Sequence, residues 1–206
     1  MKPKRLTREQ SKDQTRERLL SSANAIFTKK GYVAASIEDI AAAAGYTRGA
    51  FYSNFGGKAE LLLELLKCDH EAMRAELQQI FDSGGTREEM EARALTFYSQ
   101  FIRLNPAFML WAEAKLQAAR DAKFRTRYIA FMREKIEDMA ATIELFAERA
   151  GTPLLLPAEQ LAIGLMGLCD GIQSIHQADP QFVSLDMTEA TLSGFFSHVV
   201  LGRAPG

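Results

Sequence analysis

Cysteine and histidine are scarce in this sequence, which has two cysteines and three histidines among 206 residues. Cys68 and Cys169 lie far apart, each within a helical pattern, so we expect two small buried thiols rather than a disulfide or a redox centre. His70, His176 and His198 have no histidine or cysteine partner at a spacing that binds a metal. We therefore expect neither a metal site nor a cofactor.

Long hydrophobic runs are missing as well. No apolar stretch reaches the roughly 18–20 residues that cross a bilayer, and the opening residues MKPKRLTREQ are polar and basic, unlike a secretory signal. The sequence also has no glycine-rich phosphate loop, no GxSxG and no HExxH. We expect a cytoplasmic protein that has no membrane partner and is not an enzyme.

The net charge of −1 conceals an uneven distribution. Residues 1–58 hold 11 lysines and arginines against 5 acids, a charge of +6, and residues 59–206 hold 14 against 21, a charge of −7. A basic head on an acidic body favours a protein whose N-terminal part alone meets a polyanion, although a charged end is often merely solvated.

Helical periodicity runs through the whole chain, and no alternating strand pattern is present. Glycine and proline separate predicted helices, the later ones at about 58–81, 87–104, 106–119, 121–150, 158–178 and 187–201. The fold class is therefore all-α. We predict a three-helix DNA-binding domain with a basic N-terminal arm at residues 1–57, followed by a larger antiparallel helix bundle at 58–206 for ligand binding and dimerisation.

The stretch Ser36–Phe55, SIEDIAAAAGYTRGAFYSNF, has the dimensions of a helix-turn-helix, with two short helices around a tight turn. Thr47 brings a hydroxyl and a helix N-terminus to where a phosphate can bind. Arg48 offers a fork of donors that suits O6 and N7 of guanine. Gly49 allows the backbone to approach DNA closely, and Lys58 is placed to meet a backbone phosphate.

Other interpretations stay open for an isolated segment of this kind. It can be an ordinary helical hairpin with a solvated polar face, and the whole chain can be a partner-binding adaptor or a helical enzyme. The turn chemistry, the basic excess and the large bundle behind them together favour a reader of double-stranded DNA, which would be associated with the nucleoid.

From about Arg18 to Leu66 the sequence closely resembles the TetR-type repressors, in the segments FTKKGY, SIEDIAAAAGYTRGAFYSNF and FYSNFGGKAELL. The resemblance implies a repressor that a small apolar or amphipathic ligand releases from a palindromic operator. It also implies that phosphates are contacted by Ser36, Thr47, Tyr52 and Lys58, and that bases are faced by Arg48, Gly49 and Ser53, with Asn54 beside them.

The predicted helix at 158–178 carries a stripe of small residues beside a stripe of leucines and isoleucines. Three glycines lower helix propensity by about 2–3 kcal/mol, which makes sense if another backbone comes close. A neighbouring helix of the same chain is one candidate. The favoured candidate is a second copy of the chain, in a homodimer formed through the last two long helices as in TetR-type proteins. The interface of this dimer would include Gly164, Gly167, Leu168, Gly171, Ile175, Phe195, Phe196 and Val199.

Aromatic and sulfur-containing side chains cluster between about residues 94 and 132. Most are expected to be bundle core. Some are predicted to line an apolar effector pocket, which the resemblance implies, together with a few polar anchors. The candidate pocket residues are Phe97, Phe101, Phe108, Trp111, Glu113, Tyr128, Met132 and Asp170.

Overall fold

A computed structural model describes residues 7–151 and 153–200 of the chain. The first six residues of the predicted basic arm, and Leu201 at the end of the last predicted helix, lie outside these residues. All the secondary structure described is helical, which confirms the predicted fold class. None of the described helices is both long and apolar enough to cross a membrane.

The helices follow one another with short connections. Their bounds are α1 Arg8–Lys30, α2 Ile37–Ala43, α3 Arg48–Tyr52, α4 Lys58–Asp82, α5 Arg87–Leu104, α6 Phe108–Arg120, α7 Ala122–Ala150, α8 Ala158–Ala178 and α9 Leu185–Gly194. The last helix starts two residues earlier than predicted, because the Ser184 hydroxyl caps it by accepting a hydrogen bond from the Met187 N–H (3.2 Å). Beyond α9 the chain is π-helical over Phe195–Val200.

The described residues form two compact units. Unit 1 contains the residues up to His70 together with Ala107–Tyr128, and unit 2 contains Glu71–Pro106 together with the residues from Ile129 onward. The predicted boundary after residue 57 separates a DNA-binding domain from a domain for ligand binding and dimerisation. This functional division stays a prediction.

Unit 1 has a core built from the apolar faces of α1 to α4. Leu19, Phe27, Ile40, Phe51 and Phe55 are almost completely buried there. Each such side chain contributes on the order of 1.5–3 kcal/mol by leaving water. This core holds α2 against α1 and α3 against α2, and so fixes the orientation of the predicted helix-turn-helix.

Unit 2 is a bundle in which α5 packs against α8 and α9. Ile102, Leu161, Leu165 and Leu192 lie at its centre, each at most 1% exposed. Gln173 of α8 is buried among them, and its amide donates a hydrogen bond to the Ile102 carbonyl (3.4 Å). A buried amide that must find its partner favours one register of α8 against α5.

The two thiols differ in their surroundings. Cys169 is buried, and burial raises the pKa of its thiol to about 12. Cys68 is exposed, so the expectation that both thiols are buried was wrong for this residue. Cys68 comes two residues after Leu66, which is fully buried. Two residues turn an α-helix by about 200°, so the Cys68 side chain lies on the opposite face of α4.

Candidate DNA-binding surface and ligand cavity

Helix α2 begins at a capping box formed by Ser36 and Asp39. The Ser36 hydroxyl accepts a hydrogen bond from the Asp39 N–H (3.0 Å), and the Asp39 carboxylate accepts one from the Ser36 N–H (3.3 Å). Lys30, at the end of α1, lies 3.1 Å from the same carboxylate. Hydrogen bonding to the Asp39 carboxylate, from the Ser36 side chain first and then from Lys30 and the Ser36 N–H, lowers the pKa of Asp39 below its usual value. The Ser36 hydroxyl, a predicted phosphate contact, thus caps its own helix in the protein without DNA.

The turn between α2 and α3 depends on Gly45, whose φ of +76° lies in the left-handed region. The N–H of Gly45 donates to the Ala42 carbonyl (3.0 Å), and the N–H of Tyr46 donates to the Ala41 carbonyl (2.8 Å). Both bonds satisfy carbonyls that the end of a helix leaves without a partner. The chain therefore leaves α2 through a tight turn and reaches Thr47, the N-cap of α3, two residues after Gly45.

Helix α3 buries one face and exposes the other. Phe51 is fully buried, whereas the Arg48 side chain is 64% exposed and Tyr52 is also exposed. The Arg48 guanidinium lies 2.9 Å from the Glu38 carboxylate and 5.5 Å from the centre of the Tyr52 ring. Glu38 and Tyr52 are thus the neighbours with which a base would compete for the Arg48 guanidinium.

The remaining predicted contacts of α3 are partly engaged with the helix itself. The Thr47 hydroxyl caps α3 by accepting from the Ala50 N–H (3.2 Å). Beyond the helix, the Ser53 hydroxyl donates to the Gly49 carbonyl (3.0 Å), and the Asn54 amide donates to the Ala50 carbonyl (2.8 Å). Each bond uses one donor, so the Ser53 oxygen can still accept from a base and the Asn54 amide has a second N–H to donate.

Lys58 lies against the turn between α1 and α2 rather than in open solvent. Its ammonium donates hydrogen bonds to the carbonyls of Tyr32 (2.5 Å), Ala35 (2.7 Å) and Val33 (3.3 Å). It also lies 4.5 Å from the centre of the Tyr32 ring. Burial lowers the pKa of Lys58, and the Glu113 carboxylate opposes that shift. The predicted phosphate contact is therefore also a structural residue of unit 1.

Glu113 holds the same turn from α6. Its carboxylate accepts a hydrogen bond from the Tyr32 N–H (3.0 Å), just beyond Gly31, whose φ is +77°. Burial, and secondarily the charges of Asp121 and Glu113, raise the pKa of the Tyr32 hydroxyl to about 12. We call Lys58 and Glu113 together the turn clamp. Sequence reasoning missed Tyr32, although its place directly after the helix-ending glycine was a local signal that the turn was tightly held.

The eight predicted pocket residues divide between the two units. Phe108, Trp111, Glu113 and Tyr128 belong to unit 1, where the Trp111 indole donates to the Asp69 carboxylate (2.7 Å). In unit 2, Phe97 and Phe101 pack against the core, and their rings stack at 6.4 Å. Met132 and Asp170 also belong to unit 2 and are partly buried.

Unit 2 contains a cavity of about 150 Å³. Four aromatic rings, those of Phe81, Tyr98, Phe146 and Phe196, line it together with aliphatic side chains. Its polar lining consists of Glu91, Thr142, Ser193 and Ser197. None of the eight predicted pocket residues lines this cavity, whereas Phe196, predicted at a dimer interface, does.

The small stripe of α8 is partly covered by the chain itself. A side chain at Gly164 would meet the Phe195 ring at 3.3 Å, whereas Gly167 and Gly171 face open space. Ile163 and Ile175 of the same helix are 57% and 48% exposed. Of the other predicted interface residues, Leu168, Phe195, Phe196 and Val199 pack partly buried against the core of unit 2.

The chain is similar in sequence to known bacterial transcriptional regulators. A sequence model described as "Bacterial regulatory proteins, tetR family" matches residues 19–65. The HTH-type transcriptional regulator CymR of Pseudomonas putida is 30% identical over 146 residues, which cover 68% of this chain and 70% of CymR. The HTH-type transcriptional regulator TtgR, also of Pseudomonas putida, is 42% identical over 67 residues, 32% of this chain. The matched segment spans 31% of the length of TtgR.

A solved structure extends the likeness to almost the whole chain. A transcriptional regulator from Saccharomonospora viridis, in complex with choline, has a TM-score of 0.72 at 22% identity. The match covers 93% of this chain and 100% of that one. At this identity the likeness establishes the fold.

Proposed function

Since the chain belongs to the TetR family of bacterial regulatory proteins, we propose that it is a homodimeric repressor, which a small apolar or amphipathic ligand releases from a near-palindromic DNA operator. Binding to double-stranded DNA would place it at the nucleoid in the cytoplasm. Its curated relatives are transcriptional regulators, and we propose no catalytic activity.

The observation that carries the proposal is the division of α3 into a buried and an exposed face. Phe51 and Phe55 anchor the helix, so that Arg48 and Tyr52 stand on its outer side at fixed positions. Around Gly49, the nearest side-chain atom that an added Cβ would meet is the Thr47 hydroxyl, at 3.7 Å, which leaves room for the backbone to approach DNA. A short helix anchored in this way suits the major groove.

Dimerisation is supported by the exposed part of the α8 stripe. Gly167 and Gly171 present open backbone between the exposed Ile163 and Ile175, an apolar surface that a second copy of the chain can cover. A two-fold dimer carries two copies of α3 and so reads two half-sites of opposite orientation.

Bulky residues on the stripe test the dimer. We expect Gly167→Leu and Gly171→Leu to give monomers in sedimentation velocity, because leucine pushes apart two backbones that meet at glycine. Both changes raise helix propensity, so the monomers should stay folded by circular dichroism. Ala72→Leu, at an exposed position of α4 outside the predicted interface, is the matched control and should stay dimeric. Folded dimers of both glycine variants would place the interface elsewhere.

Selection of bound DNA from a random pool tests the function as a whole. We expect a near-palindromic site, with an affinity that falls steeply with salt because lysines and arginines displace counterions from phosphates. An asymmetric selected site, or an affinity independent of salt, would contradict the proposal.

Release requires the ligand to bind one conformation of the protein better than the other. The cavity of unit 2 supports such a ligand site, and the Saccharomonospora viridis relative was solved with choline bound. The test is fluorescence anisotropy of the operator with and without ligand. A ligand that saturates the protein and leaves operator affinity unchanged is not the effector.

A further inference from the structure

We propose that the effector is an uncharged molecule with a single aromatic ring and one oxygen that accepts a hydrogen bond from Tyr98. This inference rests on the proposed function, since it names the ligand class of the proposed regulator. It follows from the size of the cavity in unit 2, from the rings around it and from the polar groups that face it.

The volume limits the ligand to about one ring. The cavity measures about 150 Å³. An engineered apolar cavity of about this volume, lined by leucine, isoleucine and phenylalanine, stays dry and binds benzene. A ligand with two fused rings would have to push the helices of unit 2 apart, at a cost typical of an overpacked core.

The lining favours an aromatic ligand. Phe81 and Phe146 meet edge to face at 6.1 Å, and Tyr98 and Phe196 lie 5.8 Å apart. These rings offer both faces and edges to a flat guest, and aromatic pairs in such geometries gain more than their buried area provides.

The Tyr98 hydroxyl supplies the polar specificity. Tyr98 is almost fully buried, and its hydroxyl donates to the thioether sulfur of Met139 at 3.5 Å. Sulfur is a weak acceptor, so a buried donor is left poorly satisfied. Burial raises the pKa of Tyr98, so the hydroxyl stays a hydrogen-bond donor well into the alkaline range. A carbonyl or ether oxygen in the cavity would give this donor a stronger partner than sulfur.

The charge of the lining argues against an anionic ligand. Glu91 is the charged residue among those lining the cavity, and the remaining polar positions are hydroxyls. No lysine, arginine or histidine stands among the described residues that line the cavity, so a carboxylate there would lose its hydration without gaining a cationic partner. The favoured class is therefore an aryl ketone, ether or alcohol rather than an aryl acid.

The experiment compares three probes of similar size, acetophenone, ethylbenzene and benzoate, by isothermal titration calorimetry on the full chain. We expect acetophenone to bind more tightly than ethylbenzene and benzoate to bind least. Tyr98→Phe should weaken acetophenone binding about tenfold and leave ethylbenzene unchanged, since it removes one hydrogen bond and keeps the ring. Tyr46→Phe, at a partly buried tyrosine of unit 1 outside the predicted pocket, is the matched control and should change neither.

A second variant locates the ligand. Ala94→Leu adds bulk to the cavity wall and should reduce the affinity for both neutral probes, with circular dichroism showing that the protein stays folded. If Tyr98→Phe and Ala94→Leu both leave acetophenone binding intact, the inference is wrong. It is also wrong if benzoate binds more tightly than acetophenone.

Operator release separates this inference from the proposed function. If acetophenone binds as expected but leaves the operator bound, the cavity chemistry stands and the proposed coupling to DNA fails. If a larger or charged molecule releases the operator while none of the single-ring probes binds, the repressor function stands and the ligand class is overturned.

Discussion

Replacing Lys58 by methionine tests whether the turn clamp stabilises the DNA-binding unit. Methionine keeps an unbranched side chain of similar length and removes the ammonium that donates to the carbonyls of Tyr32, Val33 and Ala35. We expect lower thermal stability, because these carbonyls lose their donor and the Tyr32 ring loses a nearby cation.

The size of the loss follows from competing contributions. A hydrogen bond to a charged group stabilises a protein by about 1.5–3 kcal/mol, and a cation near an aromatic ring adds about 0.5–1 kcal/mol. Lys58 is only partly buried, so water replaces much of what is lost, and its own desolvation, which lowers its pKa, is relieved. We expect a net loss of about 2 kcal/mol, or roughly 4–8 °C in Tm for a chain of this length.

Thermal unfolding followed by circular dichroism measures this change. Lys29→Met, at an exposed position in the last turn of α1, removes the same charge and should shift Tm by at most about 1–2 °C. A Tm for Lys58→Met within about 1 °C of the parent would refute the clamp. Operator binding at several salt concentrations measures the other predicted role: if Lys58 also contacts a phosphate, the salt slope should fall by about 0.9 for each protomer, or about 1.8 for the dimer.

Two further changes test the site. Arg48→Ala should weaken the selected operator by about 1–3 kcal/mol for each half-site and scrambled DNA hardly at all, in fluorescence anisotropy; equal losses would make Arg48 a phosphate contact. The pKa of the Tyr32 hydroxyl is about 10 in the unfolded chain and about 12 in the folded one. The protonated hydroxyl therefore contributes to the stability of the fold below about pH 10, and this contribution is lost as pH rises from about 10 to 12. Urea unfolding should therefore show a smaller alkaline loss in Tyr32→Phe, and an identical loss would contradict the burial of this hydroxyl.

The local features of the fold could be predicted from the sequence because neighbouring residues determine them. The Ser36–Asp39 capping box and the left-handed Gly45 each depend on a few adjacent residues, and the structure has both. The spacing of Phe51 and Phe55 likewise indicated the buried side of α3. Which of the exposed residues there touch DNA stays a prediction.

The turn clamp and the cavity could not be predicted in the same way. Glu113 and Tyr32 are 81 residues apart, and only the packing of α6 against α1 brings them together. A sequence also shows which side chains are aromatic without showing which of them leave space unfilled. It therefore does not distinguish Phe97 and Phe101 from Phe81 and Phe146, although only the latter two line the cavity.

The difference in exposure between the two thiols allows the opening of unit 2 to be measured within the protein itself. Only a thiolate reacts readily with an alkylating reagent, so the buried Cys169, with its raised pKa, should react only when unit 2 opens. The exposed Cys68 provides the reference rate within the same molecule. A ligand that binds only the closed form slows the modification of Cys169 by the factor 1 + [L]/Kd. Mass spectrometry of the alkylated chain could therefore rank candidate effectors without DNA and without any added label.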